Sequence, residues 1–383
     1  MNILIIARGY PSANDSQWGS FEKDQAIALA SLGHKVTILS VDGRYRAPKR
    51  KLGVSHMSEN GIEAYNIYLF PLTLFDIFGF RFKFYLRNKM LLFLFKKVLK
   101  CQNIPDVIYA HYLNNIYSAL SIKKQYGIPV VGIEHWSLLA KKKIPPKVAQ
   151  VCKKTYTNTN CLISVSRSLR DNILFNFDVD SKVVPNMIGG EFLIELPQKK
   201  EPESIFKFIS VGSLIPRKGY DLLLDAFELY LRKYPESSLS IIGAGEEMKA
   251  LEEKIKKACL EKKVFLLGQK NKEEIVQALL LSDFFVLASR SETFGVVCIE
   301  ALSLGLPVIA TECGGPEYFI DNSNGIIVPI EDVEKLAFAL QYVRENWKSY
   351  DRDKIAEVCR RNYAPSIIAA KLTDVFISVV RQK

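Results

Sequence analysis

The sequence predicts an α/β protein of two doubly wound domains. Three observations carry that expectation. Short, near-continuous apolar runs alternate with longer helical patterns from end to end. The alternation comes as two series, separated by a polar stretch with two prolines, LPQKKEPES. The length, 383 residues, suits two domains at roughly 100–200 residues each.

In the first series, strands are expected at 2–7 (NILIIA), 35–41 (KVTILSV), 63–69, 106–110 (DVIYA), 129–134 (PVVGIE), 161–165 and 182–185. Helical patterns lie between them at 21–32, 82–101, 113–126 and 167–175. The second series has strands at 206–212 (FKFISVG), 238–242, 264–267, 284–288, 307–310 and 325–328. Its helices fall at 220–233, 246–259, 272–281, 296–304 and 331–347. Such apolar strands imply parallel sheets covered on both faces, with ligands at the carboxyl ends of the strands. The expected domains are 1–190 and 191–364. A late helix at 365–383 opens on Pro365, apt for a first turn, and is expected to pack back on the first domain.

Composition excludes several classes. Hydrophobic residues at 48% and charged residues at 24% are those of a globular chain, not a disordered, collagen-like or disulfide-built one. No apolar run is expected to span a bilayer, and Arg8 comes too early for a signal peptide. Seven Cys without a C-x-x-C pair suggest reduced thiols and a cytoplasmic location. Charge is uneven: residues 1–190 hold 26 Lys+Arg against 12 Asp+Glu, and the rest 26 against 29. The first half should therefore meet something anionic, whether membrane, phosphorylated substrate or nucleic acid. No nucleic-acid-binding module is recognised, so nucleic acid is not expected. Residues 74–100 combine seven Lys/Arg, one acid and many Phe and Leu. They suit either peripheral contact with an anionic membrane or a helix packed in the core. Lys141-Lys142-Lys143 adds positive charge after His135.

The chemistry concentrates in the second half. No G-x-G-x-x-G follows the first strand, and Gly243-Ala244-Gly245 reads as a tight turn, so no dinucleotide cofactor is expected. In SRSETFGVVCIEALSLGLPVIATECGG, Gly295 should open a helix whose first N–H groups suit a phosphate. Glu292 then stands on the loop before the helix, where it could accept from hydroxyls, and Glu300 could reach a diol. Taken singly, each is an ordinary surface charge; the spacing and the glycines favour a site. In SVGSLIPRKG, Arg217 and Lys218 offer cations to a diphosphate leaving group, or lie on a solvated turn. His34 reads as structural, and His56 lies in a polar loop. His111 ends a strand and is either structural or on the acceptor side. His135 also ends a strand. Asp178-Val-Asp180 resembles a metal-binding pair, yet it precedes a strand and lacks a ligand cluster. No metal is expected.

Together, Glu292…Glu300, SLIPRKG, PVIATECGG, DVIYAHY, VVGIEHW and the first loop with its Gly-His-x-Val turn resemble the retaining glycosyltransferases of family 4. The resemblance covers nearly the whole chain. It implies the GT-B fold: two Rossmann-like domains with a cleft between them. It also implies transfer of a sugar from a nucleoside diphosphate donor, UDP or GDP, to a hydroxyl of a glycan or lipid-linked saccharide. The setting implied is bacterial cell-surface polysaccharide synthesis at the inner face of the cytoplasmic membrane. By the same resemblance Gly19 closes over the donor diphosphate and His135 faces the donor sugar. Lys218 holds the diphosphate and Glu292 orients sugar hydroxyls. Backbone N–H groups of Phe294, Gly295 and Val296 surround sugar and phosphate, Glu300 holds the ribose, and the turn at Gln269 meets the base. Ser213 stands where many members carry Arg, so either Arg217 supplies the second cation or Ser213 contributes only a hydroxyl, and the expectation rests more on Lys218 than on Arg217. Two other readings of the same fold are a silent membrane-associated binding protein and a glycan phosphorylase-like enzyme.

Overall fold

The structure is a computed structural model. It describes all residues except 13, 14, 16, 17, 45–51, 70–79, 141–143, 198–204 and 383, and the side chains of 80–84. The Lys141–Lys143 run, most of LPQKKEPES and the start of 74–100 thus lie outside the described residues. The chain forms two compact units, Met1–Pro185 with Pro365–Lys383, and Asn186–Ala364.

The first unit begins β1 (Asn2–Ala7), α1 (Ser20–Ser31), β2 (Lys35–Asp42), β3 (Gly53–Glu59), β4 (Ile62–Tyr68) and α2 (Phe80–Val98). It continues β5 (Val107–His111), α3 (Tyr112–Tyr126), β6 (Val130–Glu134), α4 (Pro146–Thr157), β7 (Cys161–Ser164), α5 (Arg167–Phe177) and β8 (Lys182–Val183), and takes in α12 (Pro365–Val380). The sheet order is β3-β4-β2-β1-β5-β6-β7-β8. Its central strands are apolar, and β1, β5 and β6 are buried along nearly their whole length. That is the pattern of a sheet covered on both faces.

The purely parallel expectation is corrected at one edge. β3 pairs antiparallel with β4, so the strand expected at 63–69 is the second arm of a hairpin. Its turn is Asn60-Gly61, with φ of 50° and 75°, the left-handed pair that a two-residue hairpin loop needs. His56 is therefore a strand residue and not a loop residue; it pairs with Glu63 at 2.5 Å and stacks on Tyr65. His34 is structural: its ring bridges the Met1 amino group and Thr373 of α12.

The second unit runs β9 (Phe206–Val211), α6 (Tyr220–Leu231), β10 (Ser237–Ile242), α7 (Met248–Lys257), β11 (Val264–Leu266), α8 (Lys272–Leu280) and β12 (Phe284–Leu287). It ends α9 (Val296–Ser303), β13 (Val308–Thr311), β14 (Gly325–Val328), α10 (Val333–Asn346) and α11 (Arg352–Tyr363). Its six strands are all parallel, in the order β11-β10-β9-β12-β13-β14. Helices start where side chains can satisfy first-turn N–H groups: Asn271 and Glu274 form a reciprocal cap on α8, and Asp332 and Asp351 cap α10 and α11. Sheet order reverses between β1 and β5 in one unit and between β9 and β12 in the other. Those switch points are where loops at the carboxyl edge diverge and leave room for a ligand.

Two helices bear on the membrane question. Among the described residues, Arg352–Val380 is the one helical stretch long and apolar enough to cross a bilayer. It comprises α11 and α12, separated by extended Ala364 before Pro365, and α12 turns Ile368, Leu372 and Phe376 inward. α2 is two-faced. Leu91, Leu94, Phe95 and Val98 are buried, while Tyr85, Lys89, Phe93, Lys96 and Lys97 are exposed. Arg87 points inward, donating to Val41 O (2.8 Å) and Asn115 Oδ1 (2.5 Å). Burial lowers its guanidinium to about 10.

Phe376 anchors α12 in the first unit, fully buried with its ring 5.1 Å from that of Tyr109. Phe376→Ala is expected to cost about 3–5 kcal/mol, measured as a drop in the urea midpoint of the transition that reports on this unit.

Candidate active site

In the second unit the site is built on the loops after β9 and β12. After β9, Pro216-Arg217-Lys218 make one turn of 3-10 helix, and Gly219 takes φ 65° before α6. A side chain at Gly219 would meet Ala288 O at 2.0 Å, so only glycine lets this loop lie against the end of β12. The turn after β10 locks the same loop from its other side. Gly243 and Gly245 approach the carbonyls of Gly212 and Leu214 so closely that a Cβ would sit 1.9 and 2.1 Å away. Leu214 N–H donates to Ala244 O and Glu247 N–H to Leu214 O. Gly243-Ala244-Gly245 is thus the tight turn expected, and its role is to brace its neighbour.

Glu292 is the centre of this cluster. It is 7% exposed. Lys218 Nζ donates to Oε1 at 2.5 Å, Ser289 Oγ to Oε1 at 2.8 Å, and Arg217 Nη1 to Oε2 at 3.3 Å. Burial alone would raise this carboxyl; the charges of Lys218 and Arg217, with hydrogen bonds from Lys218 and Ser289, outweigh it and hold the group below the usual range. Arg217 also donates to Ser291 O (2.5 Å), and Arg290 N–H donates to Arg217 O (2.8 Å). Arg290 backs the loop further. Its side chain reaches Pro216 O and makes a two-pronged pair with Asp221.

Helix α9 starts beside this carboxylate. Gly295 is left-handed at φ 89°, and a Cβ on Gly315 would lie 2.5 Å from Phe294 O. Backbone therefore packs on backbone here. Phe294 turns its ring inward against Phe319 and Tyr363, leaving its main chain as the part available to a ligand. The N–H groups opening α9 have no acceptor within the helix and carry the positive end of its dipole. Glu300 lies on the second turn of α9, half-buried. Ser213 and Gln269 stand exposed on the loops after β9 and β11; the side-chain partners of Glu292 are Lys218, Ser289 and Arg217.

The first unit carries its own polar cluster at the ends of β1, β5 and β6. Gly19, at φ 84°, opens α1, and a Cβ there would sit 2.3 Å from Gly9 O, so the first loop folds back on itself through two glycines. His135 lies parallel to His111, ring centres 5.5 Å apart, with Phe21 edge-on at 5.1 Å. His111 is fully buried with neither ring nitrogen hydrogen-bonded. Burial, aided by the charge of Arg8, lowers it to about 3, so it is neutral at physiological pH.

Sequence reasoning passed over several members of this cluster. Arg8, at the end of β1, pairs with fully buried Glu22 at 2.8 Å and lies over the ring of Tyr112 at 4.3 Å. Tyr112 holds φ 67°, a costly conformation for a bulky residue. Glu134 is fully buried at the end of β6 and accepts from Tyr156 OH at 2.8 Å. The available signal was a charged residue closing an otherwise apolar strand, as in IIAR and VVGIE. The Asp178-Val-Asp180 pair is otherwise occupied. Asp178 ends α5 in the left-handed region, and Asp180 accepts from Arg170 at 2.7 Å. Among the described residues, no group of three or more His, Cys, Asp and Glu is placed to hold a metal ion.

Comparisons with known proteins agree with this geometry. Residues 193–357 match the family model described as glycosyl transferases group 1, and residues 23–189 match that of glycosyltransferase family 4. The chain is 31% identical to an uncharacterised glycosyltransferase of Methanocaldococcus jannaschii, over 61% of this chain and 63% of that one. It is 25% identical to the phosphatidylinositol N-acetylglucosaminyltransferase gpi3 subunit of Schizosaccharomyces pombe, over 79% of this chain and 65% of that one. It therefore spans slightly less than two thirds of either relative. Among solved structures, sucrose-phosphate synthase of Thermosynechococcus elongatus superimposes with TM-score 0.79 at 20% identity, covering both chains fully. The Anabaena protein HepE in complex with UDP gives 0.73 at 16%, covering 99% of this chain and all of that one. These two share the GT-B fold with this chain.

Because folding lowers the Glu292 carboxyl, the stability it contributes is present above the ordinary carboxylate range and is lost as pH falls through its folded value. Acid titration of unfolding free energy is expected to show this loss in the wild type and a flatter acid limb in Glu292→Gln.

Proposed function

Because this chain belongs to glycosyltransferase family 4, whose members have the GT-B fold, we propose that it moves a sugar from a nucleoside diphosphate donor to an acceptor hydroxyl with retention of anomeric configuration. The donor, a UDP- or GDP-sugar, binds the second unit. The acceptor, a glycan or lipid-linked saccharide, is met by the first, with His111 on that side. The observation that carries the reading is the Lys218–Glu292–Arg217 cluster beside the opening turn of α9.

The cluster has the parts that such a reaction needs. Departure of a diphosphate builds negative charge, which preorganised donors stabilise without reorganising at the moment of reaction. Lys218 spends one of its three N–H donors on Glu292, and the other two remain for phosphate oxygens. Arg217 likewise keeps part of its fork. The N–H groups at 294–296 add the helix dipole. Glu292, held ionised, orients sugar hydroxyls and does not attack the sugar. Glu300 takes the ribose, Gly19 closes over the diphosphate, and His135 acts on the sugar being transferred. Ser213 and the turn at Gln269 contact the donor through a hydroxyl and the main chain. No resident metal or cofactor is required, since these cations bear the leaving-group charge. An intact cluster also speaks against a catalytically silent protein.

The outer face of α2 supports peripheral attachment to an anionic membrane at its cytoplasmic side. Exposed Tyr85 and Phe93 alternate there with Lys89, Lys96 and Lys97. Aromatics suit the interface and lysines suit anionic headgroups. This placement would bring a lipid-linked acceptor to the first unit, consistent with a role in cell-surface polysaccharide synthesis. A relative 25% identical over 60% of this chain is the lipopolysaccharide core biosynthesis glycosyltransferase LpsE of Rhizobium meliloti.

Arg217→Ala with Lys218→Ala should lower kcat by 10²-fold or more, on the scale of removing one preorganised donor. Turnover should survive EDTA, and NMR of the product should show the donor's anomeric configuration. An inverted anomer, or activity abolished by chelation, would refute the mechanism. For the membrane reading, the protein should sediment with vesicles containing phosphatidylglycerol and not with phosphatidylcholine alone. Lys89→Glu with Lys96→Glu and Lys97→Glu should release it.

A further inference from the structure

Glu134 is a buried acid that the transfer mechanism leaves unused. Its side chain is fully buried at the carboxyl end of β6, one residue before His135. Oε1 accepts from Tyr156 OH of α4 at 2.8 Å; Oε2 has no hydrogen-bond partner. The main-chain N–H groups of Leu113, His135 and Trp136 face the carboxyl group. Leu113 is the second residue of α3, whose preceding residue His111 offers no side-chain cap. Glu134 therefore stands between three pieces of main chain: the start of α3, the turn carrying His135, and α4.

An ionised carboxylate with an unpaired oxygen in such a place is expensive, so a proton is held there more tightly than in water. Burial raises the group to about 7, opposed only in part by the hydrogen bond from Tyr156 and the facing N–H groups. The titratable groups that face it are Tyr156 and Cys152 from α4 and Tyr112 from the start of α3. All three are raised by burial and stay neutral at physiological pH. Of these groups it is Glu134 that changes charge near neutrality; the remaining titratable side chain on the same turn is the imidazole of His135.

We infer that Glu134 is a proton-operated positioning residue, which on ionising draws the starts of α3 and of the His135 turn onto itself and so sets His135 and Tyr112 for transfer. The carboxylate needs donors, and the nearest are the N–H groups at 113, 135 and 136. Once protonated, the carboxyl needs fewer of them, and both turns loosen. The His135 ring, held between Phe21, His111 and Tyr112, then loses its fixed setting. The proton leaves to solvent, and no bond other than O–H is made or broken. The inference rests on the reading that His135 serves the transfer.

The test is the pH profile of kcat/KM for the acceptor. In the wild type it should rise about tenfold between pH 6 and 8, as the ionised fraction does for one group titrating near 7. Glu134→Gln keeps the shape and the Tyr156 contact but cannot ionise, and should give a flat profile at the low-pH level. Its stability relative to the wild type should increase as pH rises from about 4.5 to 7, because the wild type alone must give up a tightly held proton. A limb that persists in Glu134→Gln overturns the inference, and so does a stability difference that does not change with pH. Should Glu134→Gln fail to fold, Tyr156→Phe removes the one donor to Oε1 and should move the limb to higher pH; an unmoved limb again overturns it. His135→Ala, assayed alongside, separates the two levels. Full turnover there defeats the role given to His135, whereas lost turnover with an unchanged Glu134→Gln profile defeats only the present inference.

Discussion

A carboxylate taken out of water must be met by charge, and Glu292 is met by two cations and a serine hydroxyl. Much of the second unit follows from that requirement. Lys218 and Arg217 can reach Glu292 only because β9 lies beside β12, so the loops leaving their carboxyl ends are neighbours. The cation-bearing loop can lie close enough only because Gly219 has no side chain to strike Ala288 O. Arg290, reaching Pro216 O and Asp221 from the far side, keeps the loop from relaxing outward. The pair thus does two things: it stabilises a buried acid, and it holds two cations where a departing anion would need them.

The first unit solves a similar problem differently. At the ends of β5 and β6, His111 and Glu134 are buried without a countercharge of their own, and burial favours the neutral form of each. The end of β1, by contrast, has a full ion pair, Arg8 with Glu22, and there the guanidinium also lies on the Tyr112 ring. The end of β1 is therefore held by charge, and the ends of β5 and β6 mainly by ring contacts and main-chain dipoles.

Much of this was legible in the sequence, for identifiable reasons. Parallel, two-face-buried strands announce themselves as apolar runs, and nearly every central strand falls within a residue or two of its expected place. Glu292 stood out by its spacing from Glu300 and the glycines around it, whereas Arg217 and Lys218, which on their own also read as a solvated turn, stood out through the family resemblance of SLIPRKG. The ion pair joining them was not visible, since it depends on which strands are neighbours. β3 was missed although Asn60-Gly61 marks its hairpin, because GVSHMSE is polar and exposed and carries no apolar alternation. α4 and α11 were missed because both are strongly polar, with narrow apolar stripes. Glu134, Arg8 and Tyr112 were overlooked for a different reason. Burial of a charged group and a left-handed tyrosine are properties of the fold: a charged residue closing the apolar runs IIAR and VVGIE marks the place but not its burial, and nothing local in HYLNN specifies the tyrosine.

The backbone-on-backbone contacts at Gly9 with Gly19, Gly212 with Gly243, and Phe294 with Gly315 have an evolutionary corollary. Wherever a carbonyl occupies the space a methyl group would need, the lineage cannot try out a new side chain. Variation is then channelled to positions on the same loops whose side chains stand exposed, among them Ser213 and Gln269. Homologues would be expected to share an almost invariant skeleton of bare turns while differing at those exposed positions, so that one inherited chassis could carry many surfaces.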